Sequence, residues 1–118
     1  MEPSTMSQST DRAATEQTLT SLIDEAAQAT QVLPPYERCI ELNEGLRSAI
    51  SGLCEQVEQQ AGEHPVRSRD WYRLTGLLEQ ADMILGAGMG EGLMSAALHV
   101  AALGRQARLM RDGIADGV

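Results

Sequence analysis

Two histidines, two cysteines, a surplus of carboxylates and one run of alternating glycines are the residues of this chain whose chemistry could be put to use. A metal site needs ligands that converge. No His or Cys lies three or four residues from His64 or His99, so both read as solvated or boundary side chains. Glu37, Glu41 and Glu44 form an i, i+4, i+7 row on a helix, but a di-iron bundle needs Glu-x-x-His pairs facing inward, and none is present. The row reads as a solvated face. Cys39 and Cys54 fall on or beside an apolar stripe, a setting that raises a thiol pKa and blunts its reactivity. No Ser/His/Asp or Cys/His arrangement can be assembled.

The glycines at 86, 88, 90 and 92 invite a comparison with phosphate-binding loops. A dinucleotide fingerprint places glycines at its first, third and sixth positions, after a strand and before a helix. Counted from Gly86 the sixth position is Glu91, and from Gly88 it is Leu93. The preceding segment is helical in pattern, and no Gly-Lys-Ser/Thr follows. The run is expected to be an interhelical turn. No catalytic residue, cofactor or metal is therefore assigned, and the residues lean away from an enzyme.

Charge narrows the partners. The chain of 118 residues carries a net charge of −8, and all nine basic residues are arginine. Residues 1–66 hold eleven acids and three arginines, whereas residues 67–118 hold six of each. A surface of this sign repels phosphate backbones, so nucleic-acid binding is disfavoured. Arg105, Arg108 and Arg111 recur at three-residue steps near a helix C-terminus, where cations offset the helix dipole. They could equally meet the acidic first half of a neighbouring chain. No apolar run approaches 18 residues, and the polar N-terminus has no basic n-region, so no membrane association is expected. Free cysteines on apolar faces suit a reducing compartment, which points to the cytoplasm.

The elements that must position these residues are helices. Aromatics amount to Trp71, Tyr36 and Tyr72, with no Phe, and β-branched apolar residues are few. The stretch Pro34–Ala61 is the hub. Cys39, Leu42, Leu46, Ala49, Ile50, Leu53, Val57 and Ala61 follow mostly three- and four-residue steps and share one helical stripe. Pro35 suits the first turn, and Gly62 with Pro65 suits the stop. On such a rod Cys39 and Cys54 stand about 22 Å apart, too far for a disulfide. Gly45 and Gly52 share a face of this helix, either as loose surface choices or as points of close approach by the Ala-rich first helix. Asn43 lies at the stripe's edge, either as a buried polar residue that fixes register or as a half-exposed one, the second being expected.

Before the hub, residues 1–10 are expected to form a disordered tail and a first helix to run from about Asp11 to Gln31. Its stripe would be Leu19, Leu22, Ile23, Ala26, Thr30 and Leu33. Pro34 and Pro35 end it, because a residue before proline is pushed out of the α region. Ser68 is a candidate N-cap for a third helix, Arg69 to Leu85, with Trp71, Leu74, Leu77, Leu78, Ala81, Ile84 and Leu85 inward. A fourth helix, Leu93 to Asp112, turns Leu93, Ala96, Ala97, Val100, Leu103, Gly104, Ala107 and Met110 inward. The helical domain would span residues 11–113, with 114–118 fraying. The expected fold is an all-α, four-helix, mostly antiparallel bundle with a long second helix.

The fourth helix has a second apolar side: Met94, Leu98, Ala101, Ala102 and Leu109, with Arg105 among them. A helix apolar most of the way round is usually buried on both sides. In so small a chain the second side is expected to meet another protein chain, most simply a second copy in a homodimer. These six residues are the expected interface. The alternative is a small-molecule site, with Met83, Met89, Met94 and Met110 lining a pocket near the Gly86–Gly92 loop.

Two segments, LPPYERCIELNEGLRSAISGLCEQVEQQA and DWYRLTGLLEQADMILGAGMGEGLMSAALHVAALGRQARLM, together resemble a known family. It comprises small actinobacterial proteins of unknown function labelled natural-product biosynthesis proteins. The resemblance covers about residues 15–112. It rests on the Leu46-Arg47 pair, the Gln56-Val57-Glu58 stretch, a Gly/Pro-containing break, and an Ala- and Leu-rich helix ending in arginines. Gln56 departs from the acid usual there, and the glycine loop lacks the usual proline. The resemblance implies a place near secondary-metabolite biosynthesis or its regulation and carries no catalytic residues; the second apolar face of the last helix and the absence of any polar constellation point to a non-catalytic accessory or interaction role there.

Overall fold

The computed structural model describes residues 18–116, and these form an all-α bundle. Four helices are present among them: α1 over 18–27, α2 over Tyr36–Ala61, α3 over Arg69–Gly86 and α4 over Leu93–Asp116. Asp11, where the first helix is expected to begin, and the tail expected over 1–10 lie outside the described residues with the rest of 1–17.

Side-chain and glycine contacts give the direction of each pairing. Leu22 of α1 lies over Gly45, and Glu25 pairs with Arg38, so α1 runs against α2. Ala26 lies on Gly104, and Thr20 accepts from Arg111, so α1 also runs against α4. Arg47 reaches Leu85 at the far end of α3, and Arg73 and Gln106 tie α3 to α4 with opposite sense. Consecutive helices are thus antiparallel, while α2 and α4 run the same way, joined at one end by Gln60 donating to the Ile114 carbonyl at 3.1 Å. The largest helix–helix contact among the last three is α2 on α4; α3 leans mainly on α2.

The hub stripe forms the core. Cys39, Leu42, Leu46, Ile50 and Val57 of α2 are fully buried, Leu53 and Ala61 nearly so, and Ala49 sits at the margin. They face Ala96, Ala97, Val100, Leu103, Ala107 and Met110 of α4, with Leu74 and Ala81 of α3 and Ile23, Ala26 and Ala29 of α1. Trp71 is half-buried against one end, with Tyr72 edge-on to it at 5.1 Å. Ser68 caps α3: its Oγ accepts from the Trp71 amide at 3.2 Å, satisfying a donor that the helix itself cannot.

Two helix ends differ from expectation. α1 stops at residue 27, four short of Gln31. There the chain tightens into turns, with Ala29 N–H bonded to Ala26 O and Gln31 N–H to Gln28 O. Ala29 closes the buried stripe, leaving Thr30 and Leu33 exposed, because nothing packs beyond the end of α1 to hold them in. At the other terminus α4 does not stop at Asp112. Residues 113–116 are helical rather than frayed: Gly113 is buried under Leu77, Ile114 packs on the core, and Arg73 and Gln60 bond the 113 and 114 carbonyls. Residues 117 and 118 lie outside the described residues.

The helical glycines divide by contact. A Cβ on Gly45 would stand 3.1 Å from a Leu22 methyl, so this glycine sits at an α1–α2 approach, whereas Gly52 has open space around it. Gly52→Ala should therefore raise stability by about 1 kcal/mol, the propensity difference without a steric cost; urea titration checks it, and no gain would mean that α2 frays there.

Candidate functional site

Among the described residues, the outer side of α4 carries several exposed apolar side chains that packing leaves unused. Viewed down the helix, Met94, Leu98, Arg105 and Leu109 fall together, flanked by Ala101, Ala102 and Arg108. Met94 and Leu98 are each 55% exposed and Leu109 47%, large fractions for side chains of this kind, while Ala101 and Ala102 are half-covered. Arg105 and Arg108 are exposed; Arg111 instead turns toward α1 and donates to Thr20 Oγ1 at 3.3 Å. The structure thus brings all six expected interface residues onto one side of α4.

Beside the glycine loop lies a buried polar corner. Arg47 donates to the Leu85 carbonyl at 2.6 Å and to the Ala87 carbonyl at 3.4 Å, satisfying acceptors that the end of α3 leaves open. One turn earlier, Asn43 is half-exposed as expected, yet its Oδ1 is buried without a partner. His99 is only 9% exposed, and its Nε2 is likewise buried without a partner. This corrects the boundary position expected for His99: it sits where α4 turns toward α2, and its ring is enclosed. Burial holds its pKa below the usual imidazole range, and the Arg47 charge lowers it further. In the loop that follows α3, Gly90 and Gly92 take positive φ of 72° and 90°, and a Cβ on Gly90 would collide with Ser95 Oγ. The loop is a turn between α3 and α4, as its failed fingerprint spacing implied.

A pH dependence follows. Unfolded His99 titrates near pH 6.5, while the folded pKa is lower. Between those values the unfolded chain binds more protons, so stability rises with pH and is lost as pH falls through about 6.5. His99→Leu should flatten this part of the stability–pH profile, checked by urea midpoints across that range; an unchanged slope would assign it to other groups.

The four methionines of the pocket expectation do not converge. Met83 is 78% exposed, Met94 faces out, Met110 is fully buried, and only Met89 packs near the loop. Met94 and Met110 are also about 24 Å apart along α4. A shallow groove of about 390 Å³ lies instead between α2 and α3, lined by Cys54, Glu58, Leu78, Glu79, Asp82 and Leu85. Burial raises the Cys54 thiol pKa, with Glu58 and Asp82 adding to it, so at neutral pH the thiol stays protonated. Cys39 is fully buried and shifted the same way.

Of the acidic row on α2, Glu37 and Glu44 are solvated, and Glu41 accepts from Arg38 at 2.9 Å. Arg38 also makes a two-pronged pair with Glu25 at 2.6 Å, which lowers the Glu25 pKa. Among the described residues no group of three or more His, Cys, Asp or Glu could hold a metal ion, and no helix is long and apolar enough to cross a membrane. The Arg47 anchor and the orphaned Asn43 and His99 atoms escaped the sequence reading. Only the edge positions of Asn43 and His99 hinted at them.

The chain belongs to a family of unknown function (DUF6415), whose model matches residues 13–114. Neither the curated proteins nor the solved structures contain a significant match.

Proposed function

We propose that this protein is a non-catalytic accessory or interaction module that acts as a cytoplasmic homodimer. We further place it with secondary-metabolite (natural-product) biosynthesis or its regulation. The observation that carries the interaction reading is the exposure of Met94, Leu98 and Leu109 on one side of a helix whose other sides are already packed. Each is about half exposed, so covering it would gain roughly half of the 1.5–3 kcal/mol that full burial of such a side chain is worth. The link to natural-product pathways is supported by the two segments that resemble an actinobacterial family carrying that label.

Light scattering coupled to size-exclusion chromatography tests the assembly. The wild type should run as a dimer at high micromolar concentration, and Leu98→Glu should shift it at least tenfold toward monomer by placing a charge among apolar side chains. A strict monomer, or an assembly indifferent to Leu98→Glu, removes this interface.

A second reading, a small-molecule ligand near the Gly86–Gly92 loop, is favoured by the partnerless Asn43 Oδ1 and His99 Nε2 beside Arg47. Thermal-shift screening with small polar metabolites tests it, since a ligand of the folded state raises the melting temperature. No stabilisation by any of them rejects it.

A further inference from the structure

The two ends of α4 are held unequally, and a buried histidine sits at the weaker one. Gln60 of α2 meets Ile114 at an offset of 54 residues. Because α2 and α4 run the same way with the same rise, that offset counted back from His99 lands at Gly45, between Asn43 and Arg47. The His99 ring is enclosed there, with Nε2 buried and without a partner. The charge that acts on it is Arg47 of α2. No carboxylate among the described residues answers it: Glu44 and Glu91 are exposed, Glu25 of α1 is taken up by Arg38, and Asp82 of α3 faces Cys54. In a doubly protonated imidazole both nitrogens are donors. On His99 that second proton would sit out of water, beside a like charge, with Nε2 lacking an acceptor.

Arg47 is also what ties this end down. Its guanidinium donates to the Leu85 and Ala87 carbonyls on either side of Gly86. The other side-chain hydrogen bonds between α4 and its neighbours, among the described residues, involve Gln106, Arg111, Gly113 and Ile114, all in the second half of the helix. From residue 86 to 92 every position is exposed except Met89. Segments that are exposed and thinly bonded are where local opening occurs. We propose that protonation of His99 opens this end of the bundle, releasing the Gly86–Gly92 turn and the first turns of α4 as far as His99 while the rest of the fold stays closed. Opening puts the ring in water, where it binds a proton that the closed state excludes. The open form is therefore favoured as pH falls through about 6.5, by at most about tenfold per pH unit. It uncovers Ala96 and Ala97, which are buried in the closed form.

Amide hydrogen exchange of the full chain, corrected for the intrinsic rate at each pH, tests the gate. Between about pH 6.5 and about pH 5.5, protection over residues 96–99 should fall severalfold, up to about tenfold, while residues 107–114 keep theirs. His99→Gln should abolish the fall. Arg47→Met should lower protection over 96–99 at both pH values, since the tie to Leu85 and Ala87 is gone. Unchanged protection in the wild type, a fall shared equally by 107–114, or a fall that survives His99→Gln overturns the proposal. The comparison of the two segments is made within the wild type, so it decides the matter even if a variant fails to fold.

Discussion

Leu46→Ala should lower the unfolding free energy by about 2–5 kcal/mol, the range for truncating a buried leucine. Leu46 is fully buried at the middle of α2, the helix that contacts both α3 and α4. Its neighbours one turn either way, Leu42 and Ile50, are equally buried. The side chains that would have to collapse into the space belong to three helices already held by one another, so little relaxation is available. A domain of this size has only about 5–15 kcal/mol in hand, so the variant should unfold at a markedly lower urea concentration with an unchanged slope. Leu46→Met, which keeps the volume, should cost less than about 1.5 kcal/mol. Equal losses for the two would mean that shape, not the cavity, sets the penalty.

Gly104→Ala should destabilise the fold by about 1–3 kcal/mol, against the direction that helix propensity alone gives. In an open helix the change would gain about 1 kcal/mol. Here the added Cβ would stand 2.6 Å from the Ala26 Cβ and 3.7 Å from the Ile23 carbonyl. Alanine has no rotamer with which to withdraw, so α1 must shift as a body, loosening Ile23 and Leu22 from the core. Gly113→Ala makes an instructive contrast, because the atom it meets is the mobile end of Leu77. If the clash is the cause, Ala26→Gly combined with Gly104→Ala should recover a large share of the loss, a coupling that a double-mutant cycle reads directly. Additive losses would place the cost elsewhere in α4.

Much of the helical order was legible in the sequence. The α2 stripe, the Ser68 cap, the prolines before Tyr36 and the inward face of α4 all rest on local rules: spacing near 3.6, a side-chain acceptor for an orphan amide, a fixed φ. The helix ends were less legible. Thr30 and Leu33 continue the α1 spacing, but periodicity holds only while another element is there to bury it. Ile114 sits beyond what looked like a fraying end, and it is helical because Gln60 and Arg73, tens of residues away in the chain, bond the carbonyls beside it.

The candidate surface divides in the same way. That Met94, Leu98, Ala101, Ala102, Arg105 and Leu109 share a side of one helix follows from the sequence, because 100° per residue is a property of the backbone. That this side stays open depends on where α1, α2 and α3 settle, and these occupy the other sides of α4. Gly104 is a residue whose purpose the sequence could not state, since only the approach of Ala26 gives its missing Cβ a meaning. The polar corner is further still from the sequence. Asn43, Arg47 and His99 lie on two helices that meet only when the bundle closes, and a buried atom without a partner is defined by everything packed around it. Local periodicity determined which residues could face inward; the tertiary structure alone decided which faces are covered, because coverage is a relation between elements distant in the chain.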